Sequence, residues 1–376
     1  MKTFCTNSPQ RGFTLIELMI AMLIGVFLMA GVIQIFISAK QAYRLQENLS
    51  RLQENGRFSM DFLTKGIRMA GYMGCSSSAK STTVMVDPTK ISVASLSLKA
   101  ISGLDNVTNN WSAKACGTNE CIAGTDVINF MTSGSCGGKL MGNMSSDNAN
   151  IQIDANNTCD VEQDEVVIIS DCSSSDVFGA SSASNGDGKQ TIAHANNINI
   201  ANKLSKAYAE DSEIFSPKLM SYFIRSGTGG VPALWSFDST DAGSTPQELI
   251  EGIEDMQVLY GVDTDVIPDY VPNYYVDASK VPATITGTTD EGWARVVSVR
   301  INLLAVTIDN NLTDDPQSYF YNGATTAPPQ IPVLKTDTSQ YCQGYTGTLP
   351  STCKLTDDLR IHRVFSSTIA VRNRLP

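Results

Sequence analysis

Histidine and basic charge are what this chain has least of. Its 376 residues include 2 histidines, and 27 Lys and Arg face 38 Asp and Glu, for a formal charge of −11. Nucleic-acid affinity comes largely from clustered Lys and Arg, so this balance argues against a phosphate-binding surface. Nucleophilic catalysis needs a nucleophile, a base and an orienting group within hydrogen-bond reach. No G-x-S-x-G occurs; His194 lies in the polar run Ala193–Asn196 and His362 precedes the final β-type run, so both read as surface or strand-edge histidines. No C-x-x-C occurs, and a mixed Cys/His zinc site has little support. Ser133–Lys139 imitates a phosphate loop, but its glycine spacing is wrong and Leu140 stands where Ser or Thr would hold magnesium.

What is present begins at the N-terminus. Lys2 and Arg11 precede a largely apolar run from Phe13 to Ala39 whose only charged residue is Glu17. A conventional secretory signal has an apolar region of about 7–15 residues. At about 1.5 Å per residue, Leu18 to Ala39 spans roughly 30 Å, enough for the hydrocarbon core of a membrane. The positive residues keep this end cytoplasmic and direct the rest to the periplasm. A carboxylate inside such a run costs about 2.5–3.5 kcal/mol on insertion scales, so Glu17 needs a partner or a function. Arg11-Gly12-Phe13-Thr14-Leu15-Ile16-Glu17 resembles the type IV prepilin signal of pilins and type II secretion pseudopilins. That resemblance implies cleavage after Gly12, methylation of the new N-terminus at Phe13, and neutralisation of Glu17 by the α-amino group of a neighbouring subunit's Phe13.

Loss of residues 1–12 removes Lys2 and Arg11, leaving 25 basic against 38 acidic residues, or −13. It also removes Cys5, so that eight of the nine cysteines remain: Cys75, Cys116, Cys121, Cys136, Cys159, Cys172, Cys342 and Cys353. An even, irregularly spaced set fits disulfides in an oxidising compartment. Sequence proximity suggests Cys116 with Cys121 and Cys159 with Cys172, and other pairings stay open. A Cys342–Cys353 bridge would close a loop containing Gly344, Gly347 and Pro350. A loop of about a dozen residues stabilises by about 2–4 kcal/mol in the entropy model.

From Lys40 to about Tyr72 the chain turns polar with helical spacing. Leu45, Leu49, Leu52, Gly56, Ser59 and Leu63 form one stripe, Lys40, Arg44, Glu47, Arg51, Glu54 and Arg57 occupy other faces, and Gly71 and Gly74 are stop signals. The stripe needs a cover, which the downstream sheet can supply. Residues 76–215 are rich in Ser, Asn, Asp and Gly, with β-type runs at Asp126–Met131 and Glu165–Ser170; Ser173–Gln190 reads as a loop. Leu219–Arg225 and Pro232–Phe237 flank a hairpin signal, Ser226–Gly230. Glu248–Ile253, Asp255–Gly261 and Ala294–Thr307 follow; in the last, Val297, Val299, Ile301 and Leu303 predict a core face and Ser298, Arg300 and Asn302 a wet one. Asp263, Asp265 and Asp269 could offer oxygen ligands to calcium, but their spacing matches no defined loop and the surroundings favour a solvated turn. A long helix followed by hairpin-linked strands predicts an α+β fold with an antiparallel sheet packed on the helix.

Glu54–Leu63, Ile67–Cys75 and the closing run Arg363–Leu375 narrow the resemblance to the PilW family of minor pilins, and the tract from Leu249 through Trp293 is similar to the PilW and GspJ group. The resemblance implies a leader (1–12), a transmembrane half-helix (13–39), an amphipathic half-helix (40–74) and a β-rich periplasmic head (75–376). Pilins often carry a C-terminal disulfide-bounded region, and Cys342–Cys353 looks like one. It further implies a non-catalytic subunit without a cofactor, held in the inner membrane until it joins the complex that primes and tips the type IV pilus, in support of twitching motility or adhesion. The partners so implied are minor pilins of the FimU, PilV and PilX types, the major pilin, the prepilin peptidase and a tip adhesin. Two alternatives remain at this stage: a GspJ-like minor pseudopilin of type II secretion, and a periplasm-facing enzyme or binding protein on an uncleaved anchor.

Overall fold

Helix α1 (Leu15–Met69) runs 55 residues, from the apolar segment through the amphipathic one. The computed structural model describes residues 14–72, 74, 82–87, 89–90, 99–171, 173–240, 243–313 and 359–374. Two compact units, Met1–Arg51 and Leu52–Pro376, divide inside the amphipathic half of the helix. In the first unit the helix is long and apolar enough to cross a membrane, and its large apolar side chains from Leu15 to Ile37 are exposed. The helix stops where the glycines predict, with Gly71 at φ 74° and Gly74 at φ 86°, a left-handed region that costs glycine little. The Gly71 N–H donates to the Met131 carbonyl at 2.8 Å.

In the second unit, the strands that follow are β1 (Thr82–Val84), β2 (Ile101–Leu104), β3 (Val127–Lys139), β4 (Ile151–Asp154) and β5 (Val166–Ser170), with a short helix α2 (Ala113–Cys116) before β3. Next come β6 (Ser175–Gly179), β7 (Ser182–Gly186), β8 (Lys189–Ala193), β9 (Glu213–Ser226) and β10 (Pro232–Asp238). The last are β11 (Gln247–Glu251), β12 (Ile253–Val262), β13 (Tyr274–Val276), β14 (Val296–Val306) and β15 (His362–Ala370). Among the described residues they form an eight-stranded sheet with β9 paired to β3, β5 and β10, a four-stranded sheet in the order β13-β12-β14-β15, and a three-stranded sheet β4-β8-β7. The main core takes residues from α1 and both larger sheets, with Leu52, Leu63, Ile67, Phe130, Ile224, Val258 and Leu303 all buried. A fully buried Leu or Ile contributes about 1.5–3 kcal/mol, so this stripe fastens the helix to the strands.

The α+β architecture, with a long helix and a mainly antiparallel head, matches the expectation. Four local expectations are corrected. One strand pair, β1 with β6, is parallel, so the eight-stranded sheet is mixed. Ser173–Gln190 is not one loop: it supplies β6, β7 and the start of β8. Asp187 at φ 51° and Gly188 at φ 72° make the two-residue turn between Gly186 and Lys189, as a tight hairpin requires. The face of β14 expected to be wet is largely covered, with Ser298 7% and Asn302 0% exposed. The Tyr275 and Ser298 hydroxyls are 2.9 Å apart, the Ser366 hydroxyl donates to Asn302 Oδ1 at 2.6 Å, and Arg300 lies 4.2 Å from the Tyr275 ring centroid. Neighbouring strands satisfy these polar groups, and that permits their burial.

The fourth correction concerns the cysteines. Cys116 and Cys121 are bonded, and Cys159 is bonded to Cys136 in β3 rather than to Cys172. Backbone pairing explains the choice, because the Thr158 N–H donates to the Cys136 carbonyl at 2.8 Å and Leu140 bridges to Ile153. The sheet therefore brings together residues 23 positions apart. Cys75, Cys172, Cys342 and Cys353 lie outside the described residues.

Candidate functional site

The first turn of α1 is organised by Thr14 and Glu17. Glu17 Oε2 accepts from the Thr14 N–H and from the Thr14 hydroxyl, each at 2.9 Å, and the Glu17 N–H donates back to Thr14 Oγ1 at 3.3 Å. This reciprocal pattern is a capping box, and it satisfies backbone donors that a helix start leaves orphaned. It places a carboxylate at the positive end of the helix dipole. The Thr-x-x-Glu spacing was visible in the sequence, but the sequence reading assigned Glu17 to an intersubunit role and missed Thr14. The cleavage and methylation residues Gly12 and Phe13 lie outside the described residues.

A second feature is the turn between β12 and β13. Carboxylate oxygens of Asp263, Asp265 and Asp269 all lie within 4.8 Å of one another, as a calcium reading requires. Their bonds are nevertheless spent on the turn itself. Asp263, 0% exposed, accepts from the Asp265 N–H at 3.0 Å through one oxygen and from the Tyr270 N–H at 2.9 Å through the other. Asp269 accepts from the Val271 N–H at 2.9 Å, and Asp265 accepts from Asn273 Nδ2 at 3.4 Å. The Arg295 guanidinium lies 4.0 Å from Asp263 and bonds Asp290 at 2.8 Å, so Asp263 has a cation beside it already. The arrangement shapes a loop.

The remaining candidates are structural. Both histidines are buried, contrary to the surface reading: His194 is 4% exposed, with Nε2 2.9 Å from the Ala149 carbonyl and its ring edge-on to Phe178. His362, 7% exposed, opens β15 and stands 2.9 Å from Glu254. Each ring has Nε2 within hydrogen-bond distance of an acceptor, a backbone carbonyl for His194 and a carboxylate for His362. Ser133–Lys139, the imitation phosphate loop, is continuous strand within β3. Sequence inspection also missed a buried carboxylate, Asp126, that accepts from the Asn106 N–H at 2.9 Å and the Val258 N–H at 2.8 Å. Burial pushes its carboxyl up to about 7 against those two donors, with Asp255 and Asp105 raising it further.

On α1, Phe58, Phe62 and Met69 are 46%, 42% and 43% exposed on the side opposite the buried stripe. Their steps of four and seven place them in one row along the helix. No sequence signal separates such a row from core, because periodicity does not say which of two apolar faces will be covered.

Residues 7–33 match the Prokaryotic N-terminal methylation motif, and residues 221–373 match Type IV Pilus-assembly protein W. The second match takes in β10 to β15 and the end of β9. No curated protein and no solved structure matches the chain. A methylation motif leading into a membrane-length helix, followed in the same chain by a PilW match over residues 221–373, indicates a type IV pilus minor pilin involved in pilus assembly.

Proposed function

We propose that this pilin acts in the priming and tip complex of the type IV pilus, anchored in the inner membrane with its head in the periplasm until assembly draws it into the fibre. The observation that carries the reading is the placement of Glu17 at the start of an apolar helix. The capping box uses Oε2 and leaves Oε1 outside it. The Thr14 N–H survives cleavage after Gly12, because the Phe13–Thr14 peptide bond is kept. The box therefore persists in the mature chain and leaves the remaining oxygen for a neighbouring subunit's Phe13 ammonium, whose charge would offset the cost of the carboxylate in the membrane. The exposed row Phe58, Phe62 and Met69 supplies apolar surface for packing against further pilin stems. Disulfides in the head agree with a periplasmic setting. Minor pilins of the FimU, PilV and PilX types, the major pilin and a tip adhesin are the partners this reading calls for.

Mass spectrometry of the mature protein tests it first, with N-methylated Phe13 expected at the N-terminus. An intact Met1 in cells with active prepilin peptidase sinks it. Deletion of the gene should remove surface pili and twitching while leaving protein secretion unchanged. Loss of secretion alone would assign the chain to a type II system.

A further inference from the structure

The turn Asp263–Tyr274 has inverted polarity. Its aspartate Asp263 is 0% exposed, while Val266, Ile267 and Val271 are 64%, 82% and 58% exposed. An ordinary surface turn does the reverse, and an exposed apolar group of this kind marks an interaction site. The turn is also held in shape. Asp263 staples both Asp265 and Tyr270, the Asn273 side chain accepts from the Thr264 N–H at 2.6 Å and the Thr264 hydroxyl at 3.0 Å, and the Asn273 N–H closes the base on the Val262 carbonyl at 2.9 Å. Tyr270 sits at φ 61°, a left-handed conformation that a bulky side chain adopts only where its surroundings hold it there. Backbone ordering, a cost that usually weakens loop-mediated binding, is thus met before any partner arrives.

We propose that this turn is a preformed docking knob for a different protein whose receiving surface is an apolar pocket edged by Lys or Arg. Charge decides among the occupants. Residues 263–276 contain three aspartates and no Lys or Arg, and Arg295 stands beside the buried one, leaving Asp265 and Asp269 as an acidic rim. A second copy of this chain carries −11 and an anionic lipid surface is likewise negative, so both are repelled. The knob lies at the Val262 end of β12. At that end the Val371 N–H donates to the Val297 carbonyl and Asn373 donates to the Ala70 carbonyl, so the knob is at the Met69 end of the second unit and not at its Leu52 end. This inference goes beyond the assembly role and does not depend on Glu17.

A photo-crosslinking benzoylphenylalanine at Ile267 of the full chain in producing cells tests it, with the same group at the 65% exposed Ile200 as control. The expected result is a discrete adduct at 267, absent at 200, whose linked peptide, read by mass spectrometry, comes from another protein and has apolar residues flanked by Lys or Arg. Asp265→Lys with Asp269→Lys should lower its yield at least tenfold, and Ile267→Ser, at an exposed position, should lower piliation with an unchanged melting temperature. Adducts to lipid or to this chain itself, equal yields at 267 and 200, or indifference to the charge reversal overturn the proposal. Titration of the purified full chain with calcium chloride alone supplies a second readout. Saturable binding lost in Asp265→Asn with Asp269→Asn would make the turn a cation site and overturn it equally.

Discussion

Gly56 of α1 lies directly under the ring of Phe365 in β15: a Cβ placed on the glycine would stand 2.2 Å from Phe365 Cε2. The two stretches of sequence that carry the family resemblance, one in the helix and one in the closing strand, are therefore in contact. Alanine is better than glycine in a helix interior by about 1 kcal/mol, whereas overpacking costs about 1–3 kcal/mol. Gly56→Ala is expected to lower stability in the native background and to raise it in a Phe365→Ala background. Chemical denaturation of the four proteins of this double-mutant cycle measures the sign change, and additivity would show that the ring is free to move aside.

Gly66 faces Phe130 in the same way, with the hypothetical Cβ 2.1 Å from Phe130 Cζ. Here the ring is 1% exposed and stacked on Tyr222 at 5.2 Å, so it has nowhere to go. Gly66→Ala should therefore destabilise more than Gly56→Ala, by about 1 kcal/mol or more on the scale of core overpacking. Equal melting temperatures for the two variants would count against this ranking.

Glu17→Gln separates the two tasks assigned to Glu17. Glutamine keeps an oxygen for the Thr14 N–H and hydroxyl but carries no charge to be neutralised by Phe13. Membrane insertion is expected to be normal and piliation to fall as far as in Glu17→Ala. Wild-type piliation in Glu17→Gln would reduce the residue to a helix cap.

Asp126 gives a pH dependence whose sign follows from its environment. Burial holds its folded pKa up at about 7, against about 3.9 in an unfolded chain. Between these values the folded chain keeps a proton that the unfolded chain has released. The stabilisation is complete below about pH 4 and declines as pH rises to about 7, by about 1.4 kcal/mol per pH unit at most. Asp255, Asp105 and the phenol of Tyr260 are the groups that share this field. Urea midpoints of the full chain in detergent should fall over that range more steeply than those of Asp126→Asn, and parallel curves would rule out a raised pKa.

Non-reducing peptide mapping should recover Cys116–Cys121 and Cys136–Cys159 linked peptides. Replacing both Cys136 and Cys159 by serine should cost about 3 kcal/mol, because the loop they close is 23 residues long; the five-residue Cys116–Cys121 loop is worth about 2. A Cys159–Cys172 peptide as the main product would contradict the pairing of β3 with the segment after β4.

The sequence by itself determined what depends on neighbours along the chain. Hydropathy and helical spacing set α1, the glycines at 71 and 74 end it, alternation marks β14, and Thr14 and Glu17 are close enough in sequence to find each other without a tertiary fold. The Asp187-Gly188 turn belongs in the same class; its signal was present but was read as part of a polar loop. Only the tertiary structure decided what depends on residues distant in sequence. Cys159 took Cys136 because strand pairing, not spacing, sets cysteine distance. Asn302 could be buried because Ser366 arrived on β15 to bond it. Asp263 turned inward because Arg295 and the backbone N–H groups of its own turn were there to receive it, and that inward turn is what left Val266 and Ile267 facing the solvent. Local signals fix the elements because their energies are local, while the partner of a buried polar group is chosen by the fold that removes it from water.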